Sequence, residues 1–204
     1  MARYRGPRVK KMRGLKVDLP GLSRKSVNRR PYPPGQHGKV GRRKITEYGR
    51  RLQEKQKLRL NYGLSERQMR TLMSEARASK ADTGLKLLEL LERRLDNVVF
   101  RAGYAPTIPA ARQMITHGHI TVNGKRVDIP SFRVKANHVI KPREKSMNKS
   151  FIVESAKSPA LTRPDWVEFD DKELTATVVA VPDAESVPFP IEIQYVIEFY
   201  AKSL

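Results

Sequence analysis

TIPAARQMITHGHITVNGKRVDIP, residues 107–130, changes its hydrophobic period part-way along. From Thr107 to Gly118 the spacing is helical. Ile108, Ala111 and Ile115 share one face, Thr107 is placed to cap, Pro109 lies in the first turn, and Gly118 stands just past the end. From Ile120 the period is two. Ile120-Thr121-Val122, the dipeptide Asn123-Gly124, and Lys125-Arg126-Val127 read as a hairpin, because Asn-Gly favours the turn whose twist matches that of the strands. Helix running into a tight hairpin points to an α+β fold.

Upstream, Leu85, Leu88, Leu91, Leu95, Val98, Val99 and Ala102 recur at helical spacing and predict one helical stretch from Thr83 to Gly103. Ser65 and Gln68 form a capping box, with Leu64 and Met69 as its hydrophobic staple. Before them, a polar basic helix opens at Thr46 or Glu47 and stops at Gly63. Residues 1–45 are rich in Arg, Lys, Gly and Pro. Pro31-Tyr32-Pro33-Pro34-Gly35 forbids helix locally, so this segment reads as an extended arm that orders against a partner. Downstream, strands are expected at 132–134, 139–140, 166–169 and 174–181, a helix at 149–156, and a closing amphipathic helix from Ile191 to Lys202. The expected organisation is an arm (1–45), a mostly helical domain (46–92 with 190–204), and a module of two helices with a small twisted sheet and added strands (93–189).

Charge narrows the function. The 204 residues carry a net +20, which favours a polyanionic partner. It is divided unevenly: +17 over 1–60, zero over 61–92, +9 over 93–150 and −6 over 151–204. There are no cysteines, so disulfides and thiolate metal sites are excluded. No apolar run is long enough to span a membrane, and the N-terminus lacks the apolar stretch of a signal peptide. A cytoplasmic location is the resulting expectation, with no cofactor, no metal and no small-molecule substrate.

Three constellations carry candidate chemistry. In the module, Arg93, Arg94 and Arg101 lie on the first helix, Arg112, His117 and His119 on or after the second, and Asn123, Lys125 and Arg126 at the hairpin. Two packed helices and a hairpin can present such groups on one rim, where Arg forks onto phosphate and Lys acts as a point charge. The bland reading is a solvated basic face over a leucine core. In the arm, Arg3, Arg5, Arg29, Arg30, Tyr32, His37, Arg42, Arg43 and Lys44 mix cations with rings that can stack on bases; a charged tail without a defined pose stands equally open. On the following helix, Arg50, Arg51, Lys55, Lys57 and Arg59 extend the basic surface. His117-Gly118-His119 suggests metal or acid–base work only superficially, because no third ligand or carboxylate stands beside it; backbone or RNA hydrogen bonding is the better reading. There is no Walker motif, no Gly-x-Ser-x-Gly and no paired-carboxylate motif.

These residues also carry a resemblance. MARYRGP (1–7), RRPYPPGQHG (29–38), EKQKLRLNYGLSERQ (54–68), LLERRLDNVVFRAG (90–103), ARQMITHGHITVNGKRVDIPSFRV (111–134), EKS (144–146) and the closing VIEFYAKSL resemble the family of small-subunit ribosomal protein four over nearly the whole chain. Arg93 to about Lys141 is similar to the small RNA-binding module named after that family. The module alone also occurs in pseudouridine synthases, some aminoacyl-tRNA synthetases and a heat-shock RNA-binding protein. Its combination with the PYPPGQHG arm and the EKQKLR helix is specific. The resemblance implies a non-enzymatic protein that binds a multi-helix junction in the 5′ domain of small-subunit ribosomal RNA and nucleates assembly. It implies contact with small-subunit proteins five and three, and with messenger RNA where it enters the ribosome, in support of translational accuracy. A cytoplasmic or an organellar ribosome would suit it equally.

Three positions depart from the family pattern. Val9 and Met12 stand where zinc-binding relatives place their first cysteines, which marks a zinc-free variant. Ile108-Pro109 replaces basic residues, and Ala136-Asn137 replaces Gly-Asp. Two rivals remain: an RNA-modifying enzyme using the module as an anchor, for which little chain is left after the module, and a free RNA-binding stress factor.

Overall fold

A computed structural model describes residues 4–39, 44–182 and 186–201. The fold is α+β and divides into two compact units, residues 1–87 with 188–204, and residues 88–187.

In the first unit, α1 (Arg8–Leu15) follows Pro7 and ends at Lys16, whose φ of 57° stops the helix. The arm is therefore extended only in part, since α1 interrupts what the sequence read as an extended segment over 1–45. Met12, Leu19, Leu22 and Val27 are buried. Asp18 accepts hydrogen bonds from Ser26 Oγ and Val27 N, both at 2.7 Å. Asn61 Oδ1 accepts from Gly21 N at 2.9 Å. Met12 is a fully buried apolar residue. The Pro-rich loop closes on itself at Gly38, where a β-carbon would lie 2.0 Å from the Pro33 carbonyl oxygen.

Helix α2 (Glu47–Asn61) is capped by Thr46, whose side chain accepts from Gly49 N. The capping box of α3 (Glu66–Ala78) is complete, with Ser65 and Gln68 bonded in both directions and Leu64 and Met69 both buried. The closing helix α9 (Ile193–Ala201) lies along α2 and touches α3, with Val196 and Tyr200 buried.

Helix α4 (Thr83–Glu92) begins after Asp82, which accepts from Leu85 N, and Leu85 itself is exposed rather than part of the core. The expected single helix to Gly103 breaks at Arg93–Arg94, and α5 runs from Leu95 to Arg101. The cause is a crossing segment. Leu95 N and Asp96 N donate to the carbonyls of Phe132 and Pro130, and Arg93 O accepts from Val134 N, so these groups are not available to a continuous helix. The same segment, expected as a strand at 132–134, makes only a single bridge pair, Arg94 with Arg133.

The second unit continues with α6 (Ile108–Thr116), capped by Thr107 with Pro109 in the first turn. A five-stranded antiparallel sheet is formed by β1 (Ile120–Val122), β2 (Lys125–Arg126), β3 (Val139–Pro142), β4 (Val167–Asp170) and β5 (Thr175–Val178), in the order β2-β1-β3-β5-β4. Asn123 and Gly124 have φ of 50° and 76°, as the tight hairpin requires. Asn137 takes φ 66° and donates its N–H to Val178 O at 2.7 Å, a left-handed conformation that Asn tolerates well. Buried Tyr104 holds its hydroxyl 2.7 Å from Leu174 O and 3.0 Å from Ile140 O, within reach of either carbonyl for its single proton, and so ties β3 to the turn before β5. Helices α7 (Glu144–Met147) and α8 (Ser150–Lys157) complete the unit. Among the described residues, no helix is long and apolar enough to cross a membrane.

Candidate nucleic-acid interface

The structure divides the cations of the second unit into an inner and an outer set. Asp96, on the first turn of α5, is buried. Arg94 Nε and Nη2 donate to its two oxygens at 3.0 and 2.9 Å, and Arg112 Nε donates at 2.7 Å. Arg101 lies 3.8 Å from buried Glu92 and donates to Ser186 O at 2.8 Å. Arg94, Arg101 and Arg112 are only 6, 6 and 7% exposed, so the expectation that they line an outer rim is corrected. They are the polar joints of the helix pair, because a buried charge is tolerated only when paired and hydrogen-bonded. Arg93, half-buried, donates to Glu89 and to Val134 O.

The outer set gathers around Gly118. Having no β-carbon, Gly118 leaves room for the Arg126 guanidinium, which such a carbon would meet at 2.5 Å, and its φ is 70°. Arg143 Nη1 donates to Gly118 O, and Arg143 N donates to His119 O at 2.8 Å. His117 and His119 lie ring to ring at 6.1 Å, and His119 Nδ1 is 2.9 Å from the hydroxyl of buried Ser146. Burial, with the charges of Lys149, His117 and Arg143, lowers the His119 pKa from its ordinary 6.5, which favours the neutral ring. Thr121 pairs with Arg126 on one side and Lys141 on the other. Residues directly opposite in a ladder share a face, so Arg126 and Lys141 form a cationic row across three strands. Lys125 and Asn123 are exposed at the hairpin tip, where Asn123 Oδ1 also accepts from Val139 N and braces the turn. Exposed Lys135, Lys141 and Lys149 were not singled out in the sequence; their only signal there was the +9 of residues 93–150.

In the first unit, Lys10, Arg13, Lys25, Arg29 and Arg30 line a groove beside α1. Arg13 donates to the carbonyls of Arg30, Tyr32 and Pro33 and lies 5.0 Å from the Tyr32 ring, with Lys39 5.4 Å from it. Arg5, Arg29, Arg30, His37, Lys44 and Arg50 are exposed. Arg3, Arg42 and Arg43 lie outside the described residues. The remaining cations of α2 are not a free face, which corrects that part of the expectation. Arg51 pairs with Glu198 at 2.7 Å, Lys57 with Glu54 at 2.6 Å, and buried Lys55 with Glu66 at 2.9 Å; Arg59 lies 3.7 Å from Glu66. Glu66 and Glu198 arrive from α3 and α9, which sequence spacing could not show, whereas Glu54 stands three residues before Lys57 on α2 itself.

Comparison with known proteins matches the chain to two family descriptions: the ribosomal protein S4/S9 N-terminal domain over residues 3–92 and the S4 domain over 93–140. The chain is 56% identical to small ribosomal subunit protein uS4 of Methylobacillus flagellatus and 54% identical to uS4B of Nitrosomonas europaea, each over the whole of both chains. The chain belongs to the uS4 family. Another member, from a Synechococcus species, is 49% identical over the same full span. As a bacterial-type uS4 family member the chain is an RNA-binding, structural constituent of the small ribosomal subunit, and not an enzyme. The rival reading as an RNA-modifying enzyme is thereby set aside.

Proposed function

We propose that this chain is a primary binder of small-subunit ribosomal RNA, seated on a multi-helix junction of the 5′ domain, where it nucleates assembly. The observation that carries this reading is the outer cationic cluster around Gly118. Backbone, rings and cations of α6, the hairpin and β3 converge there on supports that are themselves internally bonded. A-form RNA offers a major groove too narrow to read, so such a cluster suits phosphates, 2′-hydroxyls and junction shape. The exposed arm residues Arg29, Arg30 and His37 supply further contacts to the same RNA. In the assembled subunit the protein contacts small-subunit proteins five and three and borders the path by which messenger RNA enters. Its location is the ribosome, in the cytoplasm.

The test is chemical footprinting of protein-free small-subunit RNA with and without the protein. Protections confined to one junction of the 5′ domain are expected; protections scattered over the RNA would refute the placement. Sucrose-gradient sedimentation separates the ribosomal role from that of a free stress factor, since a constituent co-sediments stoichiometrically with mature small subunits. Crosslinking from those subunits to messenger RNA and to proteins five and three checks the remaining contacts.

A further inference from the structure

Phe151, on the first turn of α8, lies beyond the stretch matched by the S4 domain and is 45% exposed. Its ring is not isolated. It stands 6.0 Å from the His119 ring at 68°, and His119 in turn stands 6.1 Å from His117. Lys149 Nζ lies 6.0 Å from the Phe151 centroid. The His119 ring is anchored by Ser146 and lies within the field of the cations Lys149 and Arg143. An exposed ring flanked by fixed rings and cations is chemically what an unpaired nucleotide requires: a π-face for the base and positive charge for its phosphate. A protein partner would find an apolar spot of only one residue beside a lysine.

We infer that Phe151, braced by His119 and accompanied by Lys149, is a stacking seat for one unpaired base of the bound RNA. The seat rests on the RNA-binding reading above and adds to it a specific contact made by α8. Stacking and charge contribute differently to binding. Stacking on an aromatic ring strengthens binding without releasing counterions, so its loss changes affinity equally at all salt concentrations. A phosphate contact changes the salt slope instead.

The experiment uses the full chain and a transcript of the 5′ domain of small-subunit ribosomal RNA, with affinity measured over a salt series. Phe151→Leu keeps the apolar bulk and removes the ring face. It should weaken binding roughly fivefold or more at every salt concentration, with the slope unchanged. Phe151→Trp should bind at least as well as the wild type. Lys149→Gln should reduce the slope by about 0.7. Base-specific probing should show one unpaired nucleotide protected by wild type and Phe151→Trp but not by Phe151→Leu. Wild-type-like binding by Phe151→Leu overturns the seat, as does equal weakening by Leu and Trp. So does a Phe151→Leu protein that binds RNA normally but enters small subunits poorly, which would identify a protein-docking surface. Failure of the wild type itself to bind the transcript would overturn the functional reading, and the seat with it.

Discussion

Asp96 is the carboxylate on which two arginines meet. Arg94, before α5, donates twice and Arg112, on α6, once, and the Asn97 N–H adds a fourth donor at 3.0 Å. Removing the shared acceptor would leave two guanidiniums buried without their main partner. Asp96→Ala is therefore expected to destabilise the protein by about 3–5 kcal/mol, read from urea unfolding. Arg94→Ala and Arg112→Ala should lower stability in the same assay. Arg126→Gln should not, because that side chain is more than half exposed, with Asp128 as distant as 3.8 Å. Its effect belongs to RNA affinity, where one lost phosphate contact lowers the salt slope by about 0.9. Two arginine types that look alike in sequence thus have opposite phenotypes. Gly118 joins the two properties. Gly118→Ala places a β-carbon on a left-handed backbone, costing about 1–2 kcal/mol, and pushes Arg126 from its seat. Loss of stability together with loss of RNA affinity is the expected result; a variant with both unchanged would contradict the geometry.

At the scale of elements, α9 is held to α2 and α3 by a polar cluster over an apolar seam. Tyr200 donates to Glu66 at 2.8 Å, Lys55 bonds the other oxygen, and Lys55 lies 4.6 Å from the Phe199 ring. Burial pulls the Glu66 carboxyl upward, but the hydrogen bonds from Lys55 and Tyr200 and the charges of Lys55 and Arg59 outweigh it, leaving its pKa below the ordinary 4.5. The carboxylate's contribution is thus fully present above about pH 4.5 and is lost as pH falls through the lowered folded value. Urea midpoints measured from pH 7 down to pH 3 should fall less steeply for Glu66→Gln than for the wild type. Tyr200→Phe removes one donor and should cost about 1 kcal/mol at neutral pH. The elements themselves were largely legible in the sequence. The Ser65–Gln68 box, the Thr107 cap and the Asn123-Gly124 turn are local codes, written within a few residues. The break at Arg93–Arg94 was not legible, since its cause is a crossing segment some forty residues away in the chain.

For the whole molecule, the charge blocks of the sequence set the class of partner, but not which cations meet it. A net +20 makes RNA affinity strongly salt-dependent, falling linearly with log salt. Double substitution Arg29→Gln with Arg30→Gln, both exposed on the arm, is expected to reduce the slope by up to about 1.8 with little change in thermal stability. Lys57→Gln, whose ammonium already pairs with Glu54, should move the slope far less. The capped helices α2, α3 and α6, the hairpin, the α+β class and the family follow from the sequence alone. Periodicity, caps and turn residues act over short range, and each residue carries its own propensity. Burial of Arg94, Arg101 and Arg112, withdrawal of Lys55 onto Glu66, and the gathering of His119, Arg126 and Arg143 around Gly118 were decided only by the tertiary structure. Whether a cation faces solvent or a carboxylate depends on what distant segments bring to it, and no window of neighbouring residues contains that information.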